Sequence, residues 1–282
     1  MNQKDQRSPV RKILTRVVEL MNRLPGADRI AVRHYTINSS RLPDAFDGFT
    51  IVQISDLHGR WFGKQQERLI DAVKKQTPDL ILCTGDWVDM DYQGADQKCC
   101  EVLIRGLKPI APVYGIIGNH EARADHKTYM LAQMKKMGVP ILYNHSVRLV
   151  RNGQSIGLTG FATSYRAPLR EEAKEKLKLE KEYSKAMKGV ESERFHIAMG
   201  HRPELIALYS RLGFDLVLSG HAHGGLMRLP KGYRLLAPGQ GWLPKYTHGA
   251  YREGSTWMLV SCGLGGPRIG IAPEISQIIL KK

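Results

Sequence analysis

Residues that could bind metal ions occur in five short groups, and each group follows an apolar run of the sequence. The groups are Asp56-Leu57-His58, Gly85-Asp86, Gly118-Asn119-His120-Glu121, Gly200-His201 and Gly220-His221-Ala222-His223. Imidazole and carboxylate ligands together suit zinc, iron and manganese, whereas ligands that are all oxygen suit magnesium or calcium. The residue types therefore predict a centre for transition-metal ions.

Two of the groups contain ligands at alternate positions. Asp56 and His58 are separated by one residue, and so are His221 and His223. Alternate side chains of an extended segment point to the same side, so each pair can approach one metal centre together. A single Asp after a strand is usually a cap, and a single buried His is usually a core residue. The prediction therefore rests on the five groups as a set.

The elements that must position these groups are predicted from the periodicity of apolar residues, which indicates α/β layering. The strands expected before the five groups are Thr50–Ser55, Leu80–Thr84, Val113–Ile117, Phe195–Met199 and Asp215–Ser219. Ligand sites of α/β sheets lie beyond the carboxyl ends of the strands, so we expect the groups to converge. The intervals between Asp56, Asp86 and Asn119 each match one strand–helix–strand unit of roughly 30 residues.

The other elements are predicted from the same periodicity and from turn residues. The further expected strands are Arg29–Ile37, Ser146–Val150, Ser155–Gly160, Thr256–Ser261 and Glu274–Leu280. The expected helices are Gln65–Lys75, Gln97–Leu107, Lys127–Met137, the highly charged Arg170–Arg194 and Pro203–Leu212. No linker rich in Pro, Gly or Ser divides the chain, so we expect one domain over residues 28–282, preceded by a helix over residues 1–27.

As a set, the five groups resemble the complete motif series of calcineurin-like metallophosphoesterases over about residues 50–225. The resemblance implies a four-layer α-β-β-α sandwich, in which two mixed sheets are flanked by helices. It also implies two metal ions and the residues that hold them. Asp56, His58 and His223 would hold one ion, Asn119, His201 and His221 would hold the other, and Asp86 would bridge both.

The resemblance further implies roles for two residues that are not ligands. His120 would protonate the leaving-group oxygen or stabilise the transition state, and Glu121 would orient His120. Many relatives have Asp in place of Glu121. The implied reaction uses two divalent ions (manganese, zinc or iron) that clamp the phosphoryl oxygens and activate a bridging water, so that hydroxide attacks phosphorus in line.

The charge balance indicates an anionic partner. Lys and Arg number 42 against 27 Asp and Glu, which gives a formal net charge of +15. A phosphate-bearing substrate, an anionic lipid or a nucleic acid would each complement this charge. The four cysteines have no zinc-finger spacing, so we expect buried or reduced thiols and a reducing compartment.

Residues 1–27 predict a basic amphipathic helix. Apolar residues from Val10 to Leu24 recur at helical spacing, and Lys and Arg lie between them. Such a helix would either bind an anionic membrane surface or pack on the domain. No apolar run approaches the roughly 18 residues that span a bilayer, and no signal peptide is recognised. We expect a cytoplasmic protein, with a peripheral position on the inner face of the cell membrane if the helix binds lipid.

The C-terminal part resembles a narrower branch of bacterial membrane-associated phosphodiesterases, which includes enzymes that cleave UDP-2,3-diacylglucosamine at its pyrophosphate. The resemblance is carried by Gly224-Gly225, Tyr246–Tyr251, Val260–Gly265 and Pro273–Ile275. It implies phosphate or headgroup contacts from Lys245, Tyr246, His248 and Arg268.

The first functional hypothesis is therefore a hydrolase of phosphodiester or pyrophosphate bonds in a lipid-linked or nucleotide-linked substrate. A nuclease and a broad-specificity phosphatase are alternative enzymes. The charge favours a nuclease, but no nucleic-acid-binding module is recognised. The third alternative is a scaffold without turnover, which would be expected to lack ligands that this sequence retains.

Overall fold

The computed structural model describes residues 29–88, 94–122, 124–162, 172–227, 234–266 and 268–282. The helix predicted over residues 1–27 lies outside these ranges. Membrane binding and packing on the domain therefore both stay predictions for that segment.

The described residues form thirteen strands, which we number β1 to β13 in chain order. Their bounds are β1 Ala31–Asn38, β2 Thr50–Ile54, β3 Leu80–Cys83, β4 Val113–Gly115, β5 His145–Arg151, β6 Gln154–Gly160, β7 His196–Met199, β8 Leu216–Ser219, β9 Leu236–Ala237, β10 Gly241–Trp242, β11 Gly249–Glu253, β12 Thr256–Val260 and β13 Glu274–Lys281. All ten predicted strands are confirmed within a few residues. The additional strands β9, β10 and β11 were not predicted.

The helices also follow the predicted pattern. Their bounds are α1 Glu67–Lys74, α2 Gly94–Leu107, α3 Ala124–Lys136, α4 Glu172–Ala186 and α5 Ile206–Arg211, with 3-10 turns at Asp44–Phe46 and Pro203–Leu205. The predicted helix Pro203–Leu212 thus begins as a 3-10 turn, with Pro203 at its first position. Among the described residues, no helix is both long enough and apolar enough to cross a bilayer.

The first sheet contains five strands in the order β1-β13-β2-β3-β4. Strands β2, β3 and β4 are parallel neighbours, whereas β13 runs antiparallel to β2 and parallel to β1. Because parallel strands end at the same edge, the residues that follow β2, β3 and β4 emerge side by side.

The second sheet contains six strands in the order β11-β12-β8-β7-β6-β5. Its four central strands are parallel, and each outer strand is antiparallel to its neighbour. Strands β7 and β8 are adjacent at the centre, so the residues that follow them also emerge at one edge.

Three clusters of buried apolar residues separate the four layers of the fold. One lies between the two sheets, and one lies on the outer face of each sheet. The cluster between the sheets joins Ile51 and Ile278 of the first sheet to Ile197 and Leu218 of the second. Helices α1, α2 and α3 cover the outer face of the first sheet, and α4 and α5 cover that of the second. Since burial of apolar side chains drives this layering, the observed cores confirm the predicted α-β-β-α sandwich of two mixed sheets.

Candidate metal centre

All seven predicted ligands lie within a few residues of the carboxyl ends of five strands. In chain order they are Asp56 and His58 after β2, Asp86 after β3, Asn119 after β4, His201 after β7, and His221 and His223 after β8. Strands β2 to β4 belong to the first sheet, and β7 and β8 belong to the second. The centre therefore takes its ligands from both sheets of the sandwich.

The first cluster contains Asp56, His58, Asp86 and His223. One ligand atom from each of these residues lies within 4.8 Å of the others. His58 Nε2 is 3.8 Å from Asp86 Oδ2, and His223 Nε2 is 3.8 Å from Asp56 Oδ1. Two carboxylates and two imidazoles thus face a common point.

The second cluster contains Asp86, His201 and His221, whose ligand atoms also lie within 4.8 Å of one another. His201 Nε2 is 3.2 Å from Asp86 Oδ2 and 3.1 Å from Asn119 Oδ1, which adds Asn119 to this side. Asp86 belongs to both clusters. The arrangement is that of two adjacent sites that share one carboxylate.

Hydrogen bonds fix the orientation of the ligands. Asp56 Oδ2 accepts a bond of 2.5 Å from Ser55 Oγ, and both Asp56 oxygens accept from the His221 backbone N–H. The Nδ1 atom of His201 lies 2.7 Å from the Thr84 carbonyl, which orients its Nε2 towards the centre. Such outer contacts hold ligand side chains ready for a metal.

Five of the seven ligands have a positive φ. They are Asp56 (50°), His58 (48°), Asp86 (53°), His221 (67°) and His223 (48°). This left-handed region costs a residue other than glycine about 1–3 kcal/mol, and such strain concentrates at functional sites. The fold therefore holds these backbones in costly conformations that turn the ligand side chains towards one another.

Burial sets the charge states of the centre. It lowers the pKa of His221 and of His223 well below the usual range, so both imidazoles are neutral, which is the form that binds metals. At Asp86 burial opposes ionisation, but the His201 and His120 rings outweigh it and hold the pKa of Asp86 well below its usual range. Burial, partly offset by His201, raises the pKa of Asp56 to about 6.

The donor atoms of the centre fit metal ions. His221 Nε2 and His223 Nδ1 are buried and lack a hydrogen-bond partner among the described residues. A buried polar atom without a partner is costly, and a cation bound at His221 Nε2 would relieve that cost there. Mixed carboxylate and imidazole ligands suit zinc, manganese or iron.

His120 lies at the edge of both clusters. Its side chain is 13% exposed, and its Nε2 is 3.8 Å from Asp86 Oδ2. Its ring packs edge-on against the His58 ring at 4.5 Å. The His120 backbone N–H donates to Asp86 Oδ1 at 3.0 Å, so the residue both orients the shared carboxylate and reaches the solvent side.

Glu121 fastens the loops that follow β3 and β4. Its Oε2 accepts from the N–H groups of Asp86 at 3.0 Å and Gly118 at 2.8 Å, and its Oε1 accepts from Val88 at 3.0 Å. Burial and the nearby Asp86 carboxylate raise the pKa of Glu121 to about 7. The expectation that Glu121 orients His120 stays a prediction.

The loop Gly263–Gly266 packs directly against the first cluster. An ideal Cβ on Gly265 would lie 2.9 Å from the Cβ of His58, and one on Gly266 would lie 2.6 Å from Cε1 of His223. Real Cβ atoms essentially never approach within 3.0 Å. Glycine therefore allows this loop to close one side of the cluster.

Arg268 holds that loop. Its side chain is 4% exposed, and its guanidinium donates to the carbonyls of Gly263, at 2.8 Å, and Gly265. Burial lowers the pKa of Arg268 to about 10. The expectation that Arg268 contacts a phosphate stays a prediction, because both of these hydrogen bonds go to the loop.

The other predicted substrate contacts lie in one segment beside the centre. Lys245 is exposed and its Nζ is 4.8 Å from the ring centroid of Tyr246, while His248 Nε2 is 3.3 Å from Arg234 Nη2. An ideal Cβ on Gly225, two residues after His223, would lie 3.3 Å from Cγ2 of Thr247. The segment therefore borders the centre.

Sequence reasoning missed several residues that support the ligands. Ser55 and the Thr84 carbonyl were not singled out, because neither is a ligand type that the motifs require. The closing role of Gly263–Gly266 was also missed, although a glycine-rich run directly after a buried strand is a signal of close backbone approach.

Comparison with known proteins agrees with this geometry. The family model for calcineurin-like phosphoesterases matches residues 49–225. The uncharacterized metallophosphoesterase YkuE of Bacillus subtilis is 31% identical over 89% of this chain and 86% of its own. The phosphodiesterase YaeI of Escherichia coli is 25% identical over 82% of each chain.

Among solved structures, a phosphopantetheinyl hydrolase from Mycobacterium tuberculosis has a TM-score of 0.48 and 13% identity, over 76% of this chain and 89% of its own. The family match covers more than half of the chain, and it spans all five groups of ligands. The chain belongs to the calcineurin-like phosphoesterase family, and it is a metal-dependent phosphoesterase.

Proposed function

We propose that this protein hydrolyses phosphodiester or pyrophosphate bonds in a lipid-linked or nucleotide-linked substrate, with two divalent ions in the clusters that share Asp86. The observation that carries the proposal is this sharing, because two-metal phosphoester hydrolysis requires ions about 3.5–4 Å apart. The first ion would be held by Asp56, His58 and His223, and the second by Asn119, His201 and His221.

The ions would polarise the phosphoryl oxygens and lower the pKa of bound water, so that hydroxide could attack phosphorus. Residues of the chain would donate the proton and hold the loops in place. His120, which reaches the solvent side of the centre, would donate a proton to the departing oxygen. Glu121 would hold the Asp86 loop against the loop that carries His120, and so preserve their spacing.

The substrate class is supported by the surroundings of the centre. Lys245, Tyr246 and His248 flank Thr247, which packs near Gly225, and we propose that they contact a second phosphate or a headgroup. The net charge of +15 complements an anionic substrate. The relative YaeI is named a phosphodiesterase, which favours a diester over a monoester.

A substrate panel tests this proposal. Protein reconstituted with manganese or zinc should hydrolyse bis-p-nitrophenyl phosphate faster than p-nitrophenyl phosphate. It should also cleave a UDP-linked lipid to UMP and a lipid phosphate, which mass spectrometry would identify. Faster cleavage of single-stranded DNA would instead identify a nuclease, and faster monoester hydrolysis a phosphatase. No turnover of any substrate would favour the scaffold.

Replacement of the shared carboxylate should remove a ligand from both sites. We expect Asp86→Ala to lose at least one metal ion per chain and to reduce turnover by roughly a thousandfold, because electrostatic stabilisation is lost. Elemental analysis and bis-p-nitrophenyl phosphate hydrolysis measure the two effects. Asp47→Ala, which changes a carboxylate outside the centre, is the control. Two bound ions with full activity in Asp86→Ala would contradict the proposal.

Replacement of the predicted acid should separate catalysis from metal binding. His120→Ala should retain its metal ions but slow hydrolysis by about a hundredfold or more, which is the usual contribution of a general acid. The defect should shrink for a p-nitrophenyl diester relative to an alkyl diester, because a good leaving group needs no proton. His145→Ala, at an exposed strand position, is the control. If His120→Ala loses its metal content, the residue is a ligand.

Gly266 allows a test of the loop that closes the first cluster. Gly266 has a φ of 79° and Gly153 a φ of 77°, but only the Cβ of Gly266→Ala would contact His223, since nothing lies within 4 Å at Gly153. Both substitutions should cost about 1 kcal/mol of stability through the backbone. Only Gly266→Ala should also lower the bound metal content in elemental analysis. An equal metal content in the two variants would show that the loop does not position His223.

A further inference from the structure

Trp242, the last residue of β10, and Leu243 after it are exposed apolar residues at the open end of the β9–β10 hairpin, and we call this pair the Trp-Leu tip. Trp242 is 72% exposed and Leu243 is 74% exposed, the highest values among the large apolar side chains of the described residues. Single exposed apolar residues are common on protein surfaces, but two large consecutive ones that are both more than 70% exposed suggest a contact with another surface.

The Trp-Leu tip extends from residues beside the metal centre. Leu243 N–H donates to the Leu235 carbonyl at 3.0 Å, and Leu235 N–H lies 3.3 Å from the Met227 carbonyl. An ideal Cβ on Gly239 of the hairpin would lie 3.3 Å from Nη1 of Arg202, the residue after His201. The turn of the hairpin that carries the tip therefore packs beside the centre.

The sequence around the tip is basic. From residue 216 to residue 252 there is no Asp or Glu. The same stretch contains Arg228, Lys231, Arg234, Lys245 and Arg252. Of those that lie in the described ranges, Lys245 and Arg252 are exposed. The charge complements an anionic surface.

The backbone conformation and the exposure of Leu243 are both unfavourable for a leucine. Its φ of 51° lies in the left-handed region, which favours glycine or asparagine over leucine. A polar residue there would be better solvated and less strained. The sequence therefore places an apolar side chain at a position where both backbone and solvent disfavour it.

We infer that the Trp-Leu tip inserts into the interface of an anionic lipid bilayer and holds the phosphoesterase domain at that surface. Tryptophan prefers the headgroup region, where its ring is partly apolar and its N–H is solvated. The exposed Lys245, two residues after Leu243, would be attracted to anionic headgroups. The inference uses residues other than the predicted helix over residues 1–27, and it does not depend on which bond is hydrolysed.

A protein partner fits the patch less well. A stable protein interface buries about 800 Å² on each side, which two side chains cannot supply, and lysine is depleted at such interfaces. A bilayer requires only shallow insertion of a few apolar groups together with nearby positive charge.

The test compares vesicle binding of full-length variants. Trp242→Ser with Leu243→Ser should reduce cosedimentation with phosphatidylcholine–phosphatidylglycerol vesicles by at least about tenfold at low salt. The matched control, Val150→Ser with Leu177→Ser, removes apolar side chains that are 68% and 57% exposed elsewhere, and it should bind as the unaltered chain does. Equal binding by the tip variant and the control would overturn the inference.

Quenching by brominated lipids adds a readout that is specific to the tip. Tryptophan fluorescence of the unaltered chain and of the control should be quenched, and the tip variant should lose most of this quenching. Quenching that persists in the tip variant would overturn the inference, as would a dimer that only the tip variant loses. The vesicles contain no substrate, so these outcomes are distinct from failure of the proposed hydrolysis. Unchanged hydrolysis of bis-p-nitrophenyl phosphate would show that the tip variant is folded.

Discussion

The structure depends on the confinement of two carboxylates, Asp56 and Asp86, in a fully buried site among imidazoles. Neither side chain is exposed to solvent, and both contribute to the first cluster. Burial of adjacent carboxylates is unfavourable unless cations lie between them. The fold meets this constraint by bringing strand ends from two sheets to one place, and by accepting a positive φ at most of the ligands.

Residues around the centre also help to hold the two buried carboxylates in place. Glu121 connects the loops after β3 and β4 through three backbone hydrogen bonds, and Arg268 holds the glycine-rich loop through two. These are charged or titratable groups placed where they cannot reach solvent. Their burial is favourable only because each one satisfies several backbone groups at once. The predicted ligands are therefore positioned by a connected network and not by individual strands.

Much of this arrangement follows from sequence alone, because it depends on local features. The periodicity of apolar residues predicted the strands, and the ligand types directly after them predicted their convergence, as at Asp86 after β3. The hydrogen-bond partners of Glu121 and Arg268 could not be predicted from the sequence, because they lie in loops that come together only in the folded chain. Strands β9 and β10 have two residues each, which is too short for a periodic pattern, so the position of Trp242 could not be predicted.

The central claim is that one carboxylate, Asp86, serves two metal ions. Anomalous diffraction from crystals grown with manganese tests it most directly. We predict two peaks about 3.5–4 Å apart, with the Asp86 carboxylate between them and the ligands of both sheets around them. A single peak, or a second peak whose ligands do not include Asp86, would contradict the account.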